Sequence, residues 1–392
     1  MRILTVLTYY RPHTSGLTIY AERLARAFVR RGHQVTVMTT QYDPSLPREE
    51  ILDGVKIIRV PVALRISKGV IAPTFGRVAT RLVAEHDVVQ LHLPQFDAPG
   101  VALRARLFGK PCVLTYHCDL HMPPGLFNRV VNIVVKVMNN LSALLSTHLV
   151  TYTQDYADNS SYLSRYRRKL TPFLPPVELP PAAPGAVDAF AAAHQLGERR
   201  PVIAMVARFA AEKGVEVLVD ALPKVLEKYP QARVLFAGTY QNVMGEQAYA
   251  DRVMPRIHEY EEKGCWEFLG NLSQQQLAAL YPNLDVLVVA SLNSTESFGL
   301  VQVEAMMNGV PCAASALPGV RRPVQMHGMG KVVPVGDSSA LAQALLEIIS
   351  GEHKYSCDTA EIRRLYDPES VAVEYEKLFE KLLVQGQGSR NV

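Results

Sequence analysis

Hydrophobic and polar positions fall into two successive series of short apolar runs separated by amphipathic segments. Six runs in the first half have the composition and length of buried strands: residues 3–7, 34–39, 56–60, 88–92, 112–116 and 149–153. Some of the intervening segments have helical spacing, as in residues 19–31, where apolar positions recur three and four apart and Gly32 follows. Short apolar strands that alternate with helices are typical of a parallel sheet covered on both faces.

The second half repeats this pattern after a proline-rich segment. Strands are predicted at residues 202–206, 233–237, 266–269, 286–290, 312–314 and 332–334, and helices at 215–228, 275–280, 300–307 and 340–349. Residues 172–184 contain six prolines, which break helices and stiffen a connection between domains. The pattern predicts an α/β protein of two tandem doubly wound domains, residues 1–178 and 179–367, and a final amphipathic helix within residues 368–392.

The composition supports two folded domains and favours a reducing cellular compartment. The chain has 392 residues, 48% hydrophobic and 20% charged, which is the balance of globular domains rather than of disordered chains. Its five cysteines include no Cys-x-x-Cys pair, and this favours a reducing cytoplasm over a disulfide framework or a zinc site. Residues 1–7 are too short for the core of a signal peptide, and no apolar run has the length of a transmembrane helix.

Charge is distributed unevenly along the chain. Residues 1–181 carry 22 Lys and Arg against 12 Asp and Glu, whereas the remainder carries 19 against 25. A basic half indicates an anionic surface or ligand, although chance and local helix pairing also give such a difference. Nucleic acid is not favoured, because Trp266 is the sole tryptophan and no basic motif is interleaved with aromatic residues.

Candidate chemistry lies at the predicted strand ends. Ligands of open α/β sheets bind beyond the carboxyl ends of the strands, so two such domains predict functional residues around a central cleft. After the first strand, Ser15 and Gly16 precede a helix, where backbone N–H groups can approach a phosphate or sugar, or merely begin the helix. After a later strand, His117 would face the cleft or would be a half-buried structural histidine.

Two strand ends in the second domain carry the strongest signal. Arg208 and Lys213 flank a loop into a helix, where two cations suit a diphosphate, and simple solvation of both side chains is the alternative. Glu296 and Glu304 bracket a turn with Gly299 that leads into a helix, whose free N–H groups favour an anion. Two carboxylates beside a phosphate site suit a nucleotide sugar. A glycoside hydrolase would also use two carboxylates, but it needs no phosphate site.

Several segments carry a family resemblance that spans nearly the whole chain: residues 31–37, 208–214, 268–270, 296–304, 317–321 and 335–337. The most specific are the spaced glutamates around Glu-Ser-Phe-Gly-Leu and the loop with Arg208 and Lys213. With these segments the chain resembles the retaining glycosyltransferases of family 4, among them the phosphatidylinositol mannosyltransferase and sulfolipid synthase branches. The resemblance implies a GT-B fold, in which two Rossmann-like domains face a central cleft and the helix within residues 368–392 crosses back to the first domain.

The resemblance also implies roles for individual residues. Arg208 and Lys213 would bind the donor diphosphate and stabilise it as it leaves. His117 would assist sugar positioning near the transferring carbon, and Glu296 would contact hydroxyls of the donor sugar. The other residues implied for donor binding are Ser15, Gly16, Gly270, Asn271, Ser297, Phe298, Gly299, Leu300 and Glu304, with the ribose at Glu304 and the base beside Gly270 and Asn271. Many relatives have two glycines where this chain has Ser15 and Gly16, so contacts from this loop are expected to differ.

A mechanism is expected from the same residues. No strand end of the first domain offers an obvious carboxylate nucleophile, and Asp119 is the nearest candidate. We therefore expect front-face attack, in which the departing diphosphate oxygen accepts the proton of the acceptor hydroxyl. No metal and no cofactor are expected beyond a UDP- or GDP-sugar as the donor substrate. The predicted acceptor contacts are Tyr10, His13 and Asp119.

The resemblance implies that the first domain, which is basic here, binds the acceptor. Residues 64–82 and the helical pattern at 126–146 mix cationic and apolar positions, and the predicted membrane contacts are Arg65, Lys68, Arg77, Arg81 and Lys136. Such a surface would rest on anionic lipid, and the alternative is a core helix with a narrow wet face. We expect a cytoplasmic, peripheral membrane hexosyltransferase that glycosylates a lipid. The alternatives are a soluble sugar or small-metabolite acceptor, a sugar-nucleotide epimerase or hydrolase, and a nucleotide-sugar binding module without activity.

Overall fold

The chain divides into two compact units, each with its own sheet. The computed structural model describes residues 1–66, 69–120 and 125–388. One unit comprises residues 1–177 together with 365–392, and the other comprises residues 178–364.

The first unit is built on a mostly parallel sheet. Its strands are β1 (Arg2–Val6), β2 (Gln34–Gln41), β3 (Glu49–Leu52), β4 (Val55–Pro61), β5 (Leu64–Ile66), β6 (Gly69–Ile71), β7 (Val88–Leu93), β8 (Cys112–Tyr116), β9 (His148–Thr151) and β10 (Leu170–Pro172). Over the described residues, the order in the main sheet is β10-β9-β8-β7-β1-β2-β4-β3, and β5 and β6 form a separate hairpin. Only β3 runs antiparallel to its neighbour in this main sheet as described.

Five α-helices are described in this unit besides the last helix of the chain. They are α1 (Gly16–Arg30), α2 (Phe75–Glu85), α3 (Ala98–Leu107), α4 (Leu126–Leu145) and α5 (Gln154–Asn159). Helix α1 begins at Ser15, whose Oγ accepts a hydrogen bond of 3.2 Å from the Thr18 amide, and the chain turns at Gly32 with a φ of 85°. The six strands predicted for this half are confirmed as β1, β2, β4, β7, β8 and β9.

The second unit has a wholly parallel sheet among the described strands. They are β11 (Val202–Val206), β12 (Arg233–Ala237), β13 (Trp266–Gly270), β14 (Val286–Val289), β15 (Cys312–Ser315) and β16 (Gly330–Val333), in the order β13-β12-β11-β14-β15-β16. The helices are α6 (Ala186–Ala193), α7 (Val215–Lys228), α8 (Gln247–Glu262), α9 (Gln274–Leu280), α10 (Leu300–Met306), α11 (Arg322–His327), α12 (Ser338–Ile349) and α13 (Thr359–Tyr366). This order places β11 between β12 and β14, so the loops that follow these strands are neighbours.

The last helix, α14 (Pro368–Gly388), is part of the first unit and packs on α1. The ring of its Phe379 lies 5.8 Å from that of Phe28, and both side chains are buried. Its Tyr375 hydroxyl is 2.8 Å from the hydroxyl of Tyr20 and 2.9 Å from Oγ1 of Thr115. The final helix therefore completes the core of the unit that begins the chain.

Candidate active site

The loops after β11 and β14 are held together by backbone contacts. The Leu292 amide donates a 2.9 Å hydrogen bond to the Glu212 carbonyl. Gly214 has a φ of 66°, and a Cβ at this position would collide with the carbonyl oxygen of Ala290. A glycine is required there for both reasons, and it lets the two loops approach closely.

This approach brings Lys213 and Glu296 together. The Lys213 Nζ donates to Glu296 Oε2 at 2.6 Å, and the Gly299 amide donates to Glu296 Oε1 at 2.9 Å. Both charged side chains are largely covered, with exposed fractions of 18% and 21%. The pair therefore lies in a setting where its interaction is less screened than on an open surface.

The carboxyl of Glu296 is held in its charged form. Burial acts to raise its pKa, but the ammonium of Lys213 and the backbone N–H groups of Gly299 and Phe298 outweigh this effect, and the net pKa is lowered. A fixed carboxylate beside a fixed ammonium can accept hydrogen bonds from hydroxyls while the cation faces an anion.

The other predicted cation points to a different partner. Arg208 is half exposed, and its guanidinium donates to Glu212 at 2.8 Å. Because Glu212 lies in the same loop as Lys213, the loop after β11 carries two cations whose charges are balanced by two separate carboxylates. The structure thus places Arg208 and Lys213 on one loop but joins only Lys213 to Glu296.

The turn into α10 is fixed from inside the unit. Gly299 has a φ of 78° and precedes Leu300, the first residue of the helix, while Ser297 and Phe298 are buried. The Gln302 side-chain amide donates 2.9 Å hydrogen bonds to the carbonyls of Phe298 and Val320, which ties this turn to the segment after β15.

Two further predicted donor contacts occupy different places in the second unit. Glu304 is buried in α10, and its Oε2 accepts a 2.9 Å hydrogen bond from the Tyr281 hydroxyl. Gly270 ends β13 with a φ of 68°, and the exposed Asn271 accepts a 2.8 Å hydrogen bond from Thr239, which follows β12. Gly270 and Asn271 thus lie at the carboxyl end of β13, whereas Glu304 lies within α10.

In the first unit, His117 is buried at the end of β8. Its Nε2 lies 2.8 Å from Nδ1 of His92 on the neighbouring strand β7, and its Nδ1 is hydrogen-bonded to the Tyr152 hydroxyl. The ring of Tyr20 contacts it edge-on at 4.9 Å. Burial lowers the pKa of His92 to about 3 and that of His117 well below its ordinary value, so both rings are neutral near pH 7.

These contacts change the expected role of His117. Both ring nitrogens are engaged by protein groups, which agrees with the alternative of a structural histidine more closely than with a ring that reaches a sugar through either nitrogen. Its backbone amide donates to the Leu93 carbonyl at 3.1 Å. The ring and the backbone of His117 are therefore both held by groups of the first unit.

The loop after β1 combines a helix cap with an aromatic cluster. Ser15 caps α1, and a Cβ at Gly16 would meet no atom within 4 Å, so the protein's own packing does not require this glycine. The ring of His13 stacks on that of Tyr9 at 4.9 Å, and Tyr42 contacts both rings edge-on. The Tyr9 carbonyl accepts a 3.3 Å hydrogen bond from Oγ1 of Thr18 in the first turn of α1.

Two predicted acceptor contacts need qualification. Tyr10 is only 2% exposed, so its side chain belongs to the core, and the neighbouring Tyr9 is the more accessible residue. Asp119 accepts a 2.7 Å hydrogen bond from the Tyr116 hydroxyl, and its own amide donates to Tyr156. Its carboxylate is thus already engaged by a neighbouring side chain.

The predicted membrane contacts are spread over several elements. Arg65 is exposed on the hairpin, Arg77 and Arg81 are exposed on α2, and Lys136 is exposed on α4. Lys68 lies outside the described residues. Within the described ranges, no helix is sufficiently long and apolar to cross a membrane.

Helix α4 exposes an apolar stripe, which the alternative of a core helix does not allow. The large side chains on this stripe are Val130, Ile133, Val134, Val137, Leu141 and Leu144. A shallow groove of about 320 Å³ is lined by part of the stripe together with Lys136 and Arg165. An apolar stripe of this length next to cations is unusual on a free surface and indicates a binding surface.

Some residues of these sites carried no signal in the sequence. Tyr152 and Tyr281 contact predicted residues that are 35 and 23 positions away, and only the folded arrangement pairs them. His92 could have been found from the sequence, because a polar residue within a fully buried strand is expected to have a specific partner.

Comparisons with known proteins agree with this architecture. Residues 14–169 match the family Glycosyltransferase Family 4, and residues 187–362 match the family Glycosyl transferases group 1. The chain is 28% identical over 397 residues to a phosphatidyl-myo-inositol mannosyltransferase of Mycobacterium leprae, with 98% of each chain covered. It is 26% identical to a 2-deoxystreptamine N-acetyl-D-glucosaminyltransferase of Streptomyces fradiae, covering 87% of this chain and 84% of the relative.

Solved structures share the fold at lower identity. Sucrose-phosphate synthase from Thermosynechococcus elongatus superimposes with a TM-score of 0.76 at 22% identity, covering 98% of this chain and 99% of the other. Anabaena HepE in complex with UDP gives a TM-score of 0.75 at 18% identity, covering 97% and 100%.

Proposed function

Since the chain belongs to the glycosyltransferases and has their GT-B fold, we propose that it moves a sugar from a nucleotide-diphosphate donor to a hydroxyl acceptor with retention of configuration. The observation that carries this proposal is the Lys213–Glu296 pair at two adjoining strand ends of the second unit. The ammonium binds the diphosphate of a UDP- or GDP-sugar, and the carboxylate accepts hydrogen bonds from hydroxyls of the donor sugar.

The charges around the pair support a diphosphate rather than a neutral ligand. Arg208 lies on the same loop and is half exposed, so its guanidinium can exchange Glu212 for two phosphate oxygens. The exchange gives the guanidinium a new anionic partner and releases Glu212, whose side chain is 16% exposed. Glu304, buried beside Tyr281, is the proposed partner of the ribose, and Gly270 with Asn271 the proposed border of the base.

The proposed step is a front-face displacement. The bond between the anomeric carbon and the diphosphate oxygen breaks while the acceptor oxygen bonds to the same face of that carbon. The hydroxyl proton passes to the departing diphosphate oxygen, whose charge Lys213 and Arg208 stabilise, and no metal ion is needed for that charge. Asp119 is a poor nucleophile for a two-step route, because its carboxylate accepts from Tyr116.

The acceptor is proposed to be a lipid with an anionic, hydroxylated headgroup. The exposed stripe of α4 provides apolar area, and Arg129, Lys136 and Arg165 are exposed on α4 or beside it. Apolar side chains next to cations are complementary to the boundary between acyl chains and anionic headgroups, at about 1 kcal/mol for each basic residue near the surface. The relative that acts as a phosphatidyl-myo-inositol mannosyltransferase supports this choice.

Donor and acceptor can be tested separately. UDP-, GDP- and ADP-sugars are screened for a rise in the temperature of unfolding, since a ligand that binds the folded state stabilises it by mass action. The donor that binds is then incubated with phosphatidylinositol vesicles, and NMR of the glycolipid assigns its anomeric configuration. An inverted product, or no stabilisation by any of these sugars, would refute the proposal.

Membrane binding is tested by co-sedimentation with vesicles of phosphatidylglycerol and of phosphatidylcholine. We expect strong binding to the anionic vesicles and a loss of it in the double variant Ile133→Gln, Leu144→Gln. The matched control is Leu107→Gln, which changes an exposed leucine on α3 of the same unit and should leave binding unchanged. Equal binding to both vesicle types would indicate a soluble acceptor.

A soluble acceptor is the second candidate, because one relative is a 2-deoxystreptamine N-acetyl-D-glucosaminyltransferase. In that case transfer to free cyclitols proceeds without vesicles and the α4 variants retain full activity. An epimerase or hydrolase would instead form product with no acceptor added.

A further inference from the structure

A buried glutamine at the carboxyl end of β7 has no hydrogen-bond partner for its side chain within the part of the chain that the structure describes. Gln95 lies two residues beyond Leu93, the last residue of the strand, and is only 5% exposed. Among the described residues, neither the amide nitrogen nor the amide oxygen of this side chain has a hydrogen-bond partner. A buried amide normally finds partners for both groups, because each unpaired group lowers stability.

The position of Gln95 in the sheet places its amide where a ligand would bind. Strand β7 pairs with β8 on one side and β1 on the other, and Leu93 is in register with Tyr116. Strand β7 is therefore the middle one of three neighbouring strands. Gln95 lies in the loop after β7, His117 follows β8, and the Tyr9–His13 aromatic stack follows β1. Ligands of such sheets bind beyond these strand ends.

Other polar atoms at the same strand ends are also unpartnered. Over the described ranges, Nε2 of His92 in β7 and Nδ1 of His13 after β1 are buried atoms without a hydrogen bond. By contrast, Gln302 in the second unit, an equally buried glutamine, donates to two carbonyls through its amide nitrogen. The amide oxygen of Gln302 has no partner among the described residues either, so Gln302 pairs one of its two side-chain groups and Gln95 pairs neither.

We infer that Gln95 is a specificity-determining residue of the acceptor site, which recognises two neighbouring hydroxyls of a polyol or sugar ring. An amide offers a donor and an acceptor in one plane, and a hydroxyl group is itself both donor and acceptor. One hydroxyl of the pair accepts from the Gln95 amide nitrogen, and the other donates to its oxygen. The inference rests on the proposed function, because it names what the first unit selects in the acceptor.

If Gln95 has this role, replacing it should raise the stability of the free protein and weaken its use of the acceptor. Replacement by methionine, which has a similar shape and no amide, removes two unsatisfied groups from the free protein. We expect Gln95→Met to raise the midpoint of thermal unfolding by about 2–4 °C. The control Gln302→Met removes two hydrogen bonds and should lower that midpoint. A structural role for Gln95 predicts a decrease in both variants.

Transfer is measured with the same variant and with two sources of the diol. The two probes are phosphatidylinositol in vesicles and free myo-inositol. The probe from which the wild type forms product shows whether the acceptor is a lipid headgroup or a free polyol. We expect Gln95→Met to raise the acceptor KM by about 10–100-fold, the effect of one to two lost hydrogen bonds, with donor binding unchanged. Deoxy-inositols that lack one hydroxyl should be discriminated by the wild type and not by the variant.

Each outcome decides the matter. A lower unfolding midpoint in Gln95→Met, or a higher midpoint with an unchanged acceptor KM, would overturn the inference. If the wild type transfers no sugar to either probe, the proposed function fails. Gln95 is then judged by binding of myo-inositol and glycerol to the protein in saturation-transfer NMR, where loss of binding in the variant supports the inference and no wild-type binding or unchanged binding overturns it.

Discussion

Replacing Lys213 by methionine separates its charge from its packing. The variant keeps the aliphatic stem and removes the ammonium, so Glu296 loses a partner at 2.6 Å and keeps the Gly299 amide at 2.9 Å. The two side chains are covered but not fully buried. A hydrogen bond between charged groups in such a setting contributes about 1.5–3 kcal/mol, whereas an exposed pair contributes about 0.2–1 kcal/mol.

The stability part of this prediction is a double-mutant cycle. We expect Lys213→Met, Glu296→Gln and the double variant, unfolded by urea, to give a coupling energy of about 1.5–3 kcal/mol. The matched control is the pair Lys331 and Glu347 in the same unit, which is 2.8 Å apart with side chains 43% and 41% exposed. Its coupling should be much smaller than that of the Lys213–Glu296 pair, because water screens two exposed side chains.

The activity part uses the same variants and follows release of the nucleoside diphosphate. Removal of one preorganised donor to a developing charge typically lowers turnover about 10²–10³-fold, and we expect this loss in Lys213→Met. Lys213→Arg, which keeps the charge, should recover part of it, and Lys331→Met should leave turnover unchanged. Near-normal turnover in a folded Lys213→Met would refute the proposed role, and a coupling energy like that of the control pair would refute the energetic reasoning.

Other features of the two units have measurable consequences. Burial holds the pKa of His92 at about 3, so the unfolded chain takes up a proton below about pH 6.5 that the folded unit excludes. The contribution of His92 to stability should therefore be complete above that pH and fall by about 1.4 kcal/mol per pH unit below it; equal urea midpoints at pH 7 and pH 5 would contradict this. Gly214→Ala should destabilise the second unit more than Gly351→Ala, because both have a positive φ but a methyl at Gly351 meets no atom within 4 Å. Tyr375→Phe should lower the unfolding free energy of the first unit by about 1–2 kcal/mol through loss of its buried hydroxyl contacts, as measured by calorimetry.

The fold was accessible from the sequence where burial is continuous. The predicted strand at residues 202–206 corresponds to β11 without a shift, because an apolar run covered on both faces has clear ends. Strand β3 was not predicted, since its four residues, Glu49–Leu52, are mostly exposed at the sheet edge. The hairpin of β5 and β6 was missed for a similar reason, because three-residue strands outside the main sheet leave no periodic pattern.

The site was accessible only in part. The positions of Lys213 and Glu296 follow from strand ends, which sequence patterns locate well. The orientation of a side chain does not follow from strand ends. Tyr9 and Tyr10 are adjacent residues of the same type, and tertiary packing decides which of them enters the core. The contact of His92 with His117 likewise depends on the alignment of two strands.

The placement of α14 means that α1 cannot be fully covered until a segment translated more than 300 residues later has been made. Tyr20 and Phe28 leave the ribosome early, yet the groups that cover them, Tyr375 and Phe379, belong to the final helix. A premature stop shortly before residue 368 would leave the intervening unit intact and uncover apolar and hydroxyl groups of the opening one. Aggregation of such a truncated product would begin from its amino-terminal half.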